Sequence, residues 1–153
     1  MKKLVLLVVL FSLSTSFYVN AQSKKAQNDG FEATYQNMKA IINSQHYQYV
    51  GHVVYNSEDR KVLDQDLNQF EINTTSVKGS LTSLSSFTYN TKTSNPKITN
   101  YEVTFNDEKQ TVLIEFNLDK DKFIIEVKPN GKAFLTLSSD VNNIRQTGMI
   151  KRI

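Results

Sequence analysis

The chain has no cysteine in its 153 residues. That excludes disulfides, thiolate metal sites and a cysteine nucleophile. It also excludes the lipid-modified N-terminal cysteine of a standard bacterial lipoprotein. An extracellular eukaryotic domain of this size often carries disulfides. Their absence, beside a short Met1-Lys2-Lys3 start, favours a bacterial periplasmic or secreted protein.

Histidine is scarce too, with His46 and His52 the two present. Read as residues of one strand face, they stand roughly 20 Å apart at about 3.3 Å per residue. One metal ion with ligand bonds of about 2 Å cannot bridge them, so no metal site is assigned. Serines abound, but no Gly-x-Ser-x-Gly elbow is present. No apolar run reaches the roughly 20 residues that a membrane-spanning helix requires.

The apolar run that is present has another reading. Lys2 and Lys3 precede Leu4 to Phe11, and a mixed tail then ends in Val19-Asn20-Ala21 before Gln22. This is the order of a secretory signal, with a small residue at the cleavage point and a tolerated valine two before it. Residues 1–21 are therefore expected to be a signal peptide, cut between Ala21 and Gln22. The expected product is periplasmic or secreted and not membrane-spanning. Removing Lys2 and Lys3 lowers the formal charge from +3 to about +1. A basic surface for nucleic acid loses its main support, and no nucleic-acid partner is expected.

What remains is one domain's worth of chain. Residues 22–28 (QSKKAQN) read as a disordered lead-in, and 29–153 as a single β-rich domain. Asp29 and Glu32 have capping-box spacing. Phe31, Tyr35, Met38, Ile41 and Ile42 then form one helical stripe, ending near Asn43 to Gln45.

Beyond it the period becomes two. Over His46 to Asn56, strict alternation places Tyr47, Tyr49, Gly51, Val53 and Tyr55 on one face, with His46, Gln48, Val50, His52 and Val54 on the other. Short strands follow near Val62, at Gln69 to Asn73 and at Ser76 to Leu81. The serine- and threonine-rich stretch Thr82 to Pro96 reads as a long loop or irregular edge strand. Ile98 to Phe105, Thr111 to Leu118, Phe123 to Val127 and Ala133 to Leu137 form a meander. Its best turn signal is Asn130-Gly131, and Thr147 to Ile153 adds a closing strand. The expected class is mainly β (α+β): one N-terminal helix packed on a curved antiparallel sheet. The sheet is read as a sandwich or partial barrel of about 7–8 strands, by the layer rules for such a pattern.

The order of elements resembles a bacterial secreted family, the domain-of-unknown-function 4251 family (DUF4251). The residues that carry the likeness are Val77-Lys78-Gly79, Ile98-Thr99-Asn100-Tyr101-Glu102-Val103, Asn130-Gly131-Lys132-Ala133, Leu137-Ser138-Ser139, and the run from Ile144 to Ile150. It covers roughly Phe31 to Ile153. Thr147 stands where members carry an aromatic residue, and Leu84-Ser85-Ser86 where they carry a Leu-Pro-Tyr-type segment. The resemblance implies address and fold, and no activity, so no catalytic residue is assigned.

Four constellations are candidates for chemistry. Asn117, Asp119 and Asp121 alternate like the opening of a calcium loop, but Lys122 and Lys128 stand where glycine and glutamate belong. The segment reads as a solvated hairpin turn. Asp64 and Asp66 would share a strand face about 7 Å apart, as two surface acids or as a glycosidase-like pair. The tyrosines Tyr47, Tyr49 and Tyr55 could pack under the helix or face a ligand. Phe87 and Tyr89, in the polar loop, are the foremost ligand-facing candidates. No cofactor is expected. The leading expectation is a non-catalytic exported envelope protein whose curved sheet binds a small-molecule, glycan or peptide ligand. The alternative is a protein–protein module, an inhibitor or assembly factor with an envelope protein as partner. A hydrolase comes last.

Overall fold

The computed structural model describes residues 27–91, 96–140 and 142–153. The expected cleavage site at Ala21 and Gln22 lies outside the described residues, as do residues 92–95 of the polar loop.

Helix α1 runs through residues 27–43. It is already helical two residues before Asp29, so Asp29 lies inside the helix and does not cap it. Residues 27 and 28 accordingly belong to the helix and not to a lead-in. The predicted stripe faces the protein: Tyr35, Met38, Ile41 and Ile42 are buried. The helix stops where Gln45 turns left-handed at φ 60°, and its N–H donates back to the Ile42 carbonyl at 3.0 Å.

Ten strands follow: β1 (His46–Tyr55), β2 (Arg60–Val62), β3 (Gln69–Asn73), β4 (Ser76–Thr82), β5 (Thr88–Asn90), β6 (Ile98–Asn106), β7 (Thr111–Leu118), β8 (Asp121–Val127), β9 (Lys132–Ser138) and β10 (Ile144–Arg152). They pair antiparallel in the order β5-β4-β3-β1-β10-β9-β8-β7-β6, with β2 attached beside β1. The nine-strand path curls into a half-barrel around one core. Of the two expected forms the partial barrel is the one adopted. The strand number exceeds the expected count of about 7–8; the short strand near Val62 is present as Arg60–Val62, and Thr88–Asn90 is a further short strand within the stretch read as a long loop or irregular edge strand.

Alternation explains the curl. Along β7, β8 and β9 every second residue is buried: Val112, Ile114, Phe116 and Leu118, then Phe123, Ile125 and Val127, then Ala133, Leu135 and Leu137. Burying that face requires a partner layer, and the sheet supplies it by folding over itself. Phe123 of β8 stacks on Phe70 of β3 with centroids 5.5 Å apart, and on Phe116 of β7 at 5.0 Å. The ends of the curl approach where Ser76 bridges Lys97. Tyr47 of β1 and Tyr101 of β6 share a hydrogen bond of 2.9 Å across the interior.

Helix α1 docks beside the β6–β7 turn. The Tyr35 hydroxyl donates to Asp107 at 2.8 Å, and the Lys39 ammonium meets the same carboxylate at 2.8 Å. Lys39 holds the Asp107 carboxyl below the usual carboxylate range, helped by Tyr35. Burial, and then the bond to Asp107, push the Tyr35 hydroxyl up to about 12.

Asp107 titrates lower in the folded than in the unfolded chain. Its contribution is therefore full above the unfolded value of 3.8 and fades as pH falls through the lower folded value. Urea midpoints of the wild type and Asp107→Asn should differ at pH 7 and converge under acid conditions. A gap unchanged into strong acid would mean that the charge is irrelevant.

Glycine substitutions should separate by site. Gly79 has φ +149°, and a Cβ there would be driven into the Gln69 carbonyl oxygen. Gly79→Ala should cost at least about 2 kcal/mol, whereas Gly30→Ala, in open space on the helix, should gain roughly 0.5–1 kcal/mol. Equilibrium denaturation checks both signs.

Candidate functional site

Strand β1 starts as the alternation predicts. Tyr47 and Tyr49 point inward and are 0% exposed. The register against β10 then slips: Gly51 pairs with Gly148, but Val53 pairs with Thr147. His52 is the extra residue, a β-bulge, and a bulge reverses the faces of all that follows. Val54 becomes the buried residue, while Val53 and Tyr55 emerge half-exposed on the outer face. The single five-residue aromatic face expected from the sequence is therefore split at His52, and Tyr55 lies on the side opposite Tyr47 and Tyr49.

The bulge is held by the loop after β2. The Gly51 N–H donates to the Asn68 carbonyl at 2.8 Å, and the Leu63 N–H to the His52 carbonyl at 2.9 Å. Asn68 is buried. Its Nδ2 donates to the Asp64 carbonyl at 2.9 Å, and its Oδ1 accepts the Thr82 N–H at 2.8 Å. Fully buried Gln146 donates from Nε2 to the Thr82 carbonyl at 2.9 Å. Gln146 lies so close over Gly51 that a Cβ at that position would strike its Oε1. A side chain at position 51 would require Gln146 to shift.

Outside the bulge a groove of about 770 Å³ opens. Its floor is a row of paired residues across four strands: Val62 opposite Val53, Val53 opposite Thr147, Thr147 opposite Phe134. Tyr55, paired with Arg60, lies one step further along β1. One wall is the β1–β2 hairpin, residues 56–59. Its turn is locked because Asn56 Oδ1 accepts the N–H groups of Glu58 at 2.8 Å and Asp59 at 2.6 Å. The far wall is Lys132, whose ammonium sits 5.4 Å from the Phe134 ring centre. Arg60 and Lys132 balance Glu58 and Asp59 around the rim. None of these four side chains forms an ion pair among the described residues.

The other predicted residues lie elsewhere. The Tyr47 hydroxyl bonds Tyr101, and the Tyr49 hydroxyl has no hydrogen-bond partner among the described residues. Burial above all keeps both protonated far into the alkaline range. Tyr89 packs its ring 5.5 Å from Phe123 and 6.2 Å from Phe70. Burial, then a hydrogen bond to Asp121, raises its pKa as well. Phe87 is 37% exposed at the 83–87 turn, where Ser83 and Phe87 exchange bonds of 2.8 and 3.1 Å. The structure thus brings Tyr47 and Tyr49 together inside, and leaves Tyr55 alone of the five beside the groove.

Among the candidate ions, Asp64 and Asp66 are not on a strand. Asp64 Oδ1 accepts the Asp66 N–H at 3.0 Å in a tight turn. Asp119, at φ 53°, starts the β7–β8 hairpin turn, in which Leu118 pairs with Asp121. His46 Nε2 sits 2.8 Å from Glu71 on the surface. Among the described residues no cluster of His, Asp or Glu is placed to hold a metal ion.

Sequence reasoning missed Phe134, Val53, Thr147, Arg60 and Lys132. A signal existed for Phe134: it has the outward parity of a strand whose inward residues are Ala133, Leu135 and Leu137. An aromatic on the solvent parity of an otherwise regular amphipathic strand asks for an explanation.

Scans against protein-family models and curated proteins match nothing. Among solved structures, the chain superposes on a DUF4251 family protein from Bacteroides eggerthii DSM 20697 with a TM-score of 0.60, over 78% of this chain and 88% of that one. The fold is the DUF4251 fold. Sequence identity to that protein is 9%, so the likeness carries architecture alone. The resemblance read from the sequence holds at that level. No helix among the described residues is long and apolar enough to cross a membrane.

Tyrosine chemistry separates the two faces. On brief treatment of the native protein with tetranitromethane, Tyr55 should be nitrated while Tyr47 and Tyr49 are spared until denaturant is added. Peptide mapping reads the outcome; protection of Tyr55 together with Tyr47 and Tyr49 would contradict the assigned bulge.

Proposed function

We propose that this is an exported, non-catalytic envelope protein that binds a ligand in the outer groove beside the bulge. One observation carries the reading: the groove over Val53, Thr147 and Phe134, with Tyr55 at its edge. Its volume falls in the roughly 300–1,000 Å³ range of ligand sites, and its apolar floor with a few convergent polar groups has their composition. Proteins commonly use bulges to re-aim side chains beside such sites, and here the bulge turns Val53 and Tyr55 outward. Export is supported by the positive start, apolar run and Val19-Asn20-Ala21 tail.

A protein–protein role is the second reading, favoured by Val62 at 80% and Leu67 at 59% exposure on the β2 side. A partner covering them should be captured by amine cross-linking in the intact envelope, through Lys61 beside Val62.

Native mass spectrometry of protein isolated gently from its own envelope tests the first reading. The polypeptide should begin at Gln22 and carry a reproducible mass excess that Phe134→Asp abolishes. A bare mass in wild type and variant alike would count against the groove. A chain retaining residues 1–21 would count against cleavage.

A further inference from the structure

We infer that the occupant of the outer groove is a neutral oligosaccharide chain. This rests on the ligand-binding reading above and adds the chemical class.

Four features of the groove decide among the classes. First, it offers two aromatic residues on one sheet face, Tyr55 on β1 and Phe134 on β9. Strand β10 lies between them, and Val53, the residue level with Phe134, precedes Tyr55 by two. At about 4.8 Å between strands and 3.3 Å per residue, the two residues stand roughly 10 Å apart across the sheet and 7 Å along it. A single six-membered sugar ring cannot cover both, whereas consecutive rings of a chain can. The apolar body and polar tip of tyrosine suit the C–H face and hydroxyl edge of a sugar.

Second, the rim is made of groups that pair with vicinal hydroxyls. Asn56, Glu58, Asp59 and Arg60 present planar amide, carboxylate and guanidinium groups, which hold several donors or acceptors in one plane. Asn56 Oδ1 is spent on its own turn. The carboxylates of Glu58 and Asp59 and the Arg60 guanidinium form no ion pair among the described residues, and so remain available.

Third, two cations against two anions give the rim no net sign, which disfavours nucleic acid and other polyanions.

Fourth, the shape disfavours two apolar classes. The groove is open along a polar hairpin, so a hydrocarbon tail laid in it would stay wet on one side. The strand edge beside it, β2, is three residues long, too short to pair with an extended peptide in the manner of strand addition.

Calorimetric titration of the full mature chain with neutral hexasaccharides of glucose, xylose, mannose and N-acetylglucosamine tests the assignment. Parallel titrations use a pool of extended hexapeptides and a medium-chain fatty acid. At least one hexasaccharide should bind, and its monosaccharide should bind at least about tenfold more weakly. Tyr55→Ala and Phe134→Ala should each weaken the hexasaccharide by about tenfold, while the distant Phe87→Ala leaves it unchanged. Both ring residues are on the outer face, and unaltered melting temperatures would show that the variants fold.

Hexasaccharide binding that ignores both substitutions would overturn the assignment. So would Tyr55-dependent binding of peptide or fatty acid with no response to any sugar, though the groove would then stand as a ligand site. Silence from all three probe classes would overturn both the assignment and the reading on which it rests.

Discussion

The molecule depends on one extra residue in its central strand. Strand β1 carries β10 on one side and β3 with β2 on the other, so a slip in β1 is felt by every neighbour. Before His52 the strand gives the core Tyr47 and Tyr49; after it, Val54. Without the bulge Val54 would face water and Val53 and Tyr55 would crowd the interior. The slip is stabilised from outside the strand, by Asn68 and Leu63, whose backbone groups take the Gly51 N–H and the His52 carbonyl in the gap between β3 and β2. Buried main-chain groups need such partners. Asn68 and Gln146 are thus structural determinants of the outer groove, although their side chains lie within the protein.

The interior solves a different problem. A single sheet with one apolar face must find cover, and one helix is too small to cover nine strands. The curl brings β3 and β5 over β8, where Phe70, Tyr89, Phe123 and Phe116 form a continuous ring cluster. Helix α1 then fills what the curl leaves open, pinned at the β6–β7 turn by Tyr35 and Lys39 on Asp107. Tyr89 belongs to this cluster and ties its strand, β5, to the core.

The sequence displayed the helix stripe, the meander and the approximate ends of most strands, because each depends on periodicity within one segment. It displayed the two-residue Thr74-Thr75 corner for the same reason, with Asn73 pairing Ser76 across it. The Asn130-Gly131 hairpin was legible as a turn, though Gly131 alone of that pair takes a positive φ. What alternation could not display was its own interruption. Nothing in Tyr49-Val50-Gly51-His52-Val53 announces a bulge, because the bonds that fix it come from Leu63 and Asn68. The error at Tyr55 followed directly. Asp64 and Asp66 misled for a related reason: a strand was extended into residues whose side chains favour local turns.

The pairing of β1 with β10 also governs the order in which the protein can form. Strand β1 follows the helix, yet half of its backbone bonds await β10, the strand synthesised last. Contacts this distant in sequence are slow to close, and loop entropy must be overcome before they contribute. A chain emerging from the ribosome can assemble the β6–β9 meander early, but it cannot join the meander to β1, β3 and β4 until Ile144–Arg152 is present. Such a topology leaves an unfinished chain without its central pairing, with β1 an open edge exposed to proteolysis and to unintended partners until β10 docks.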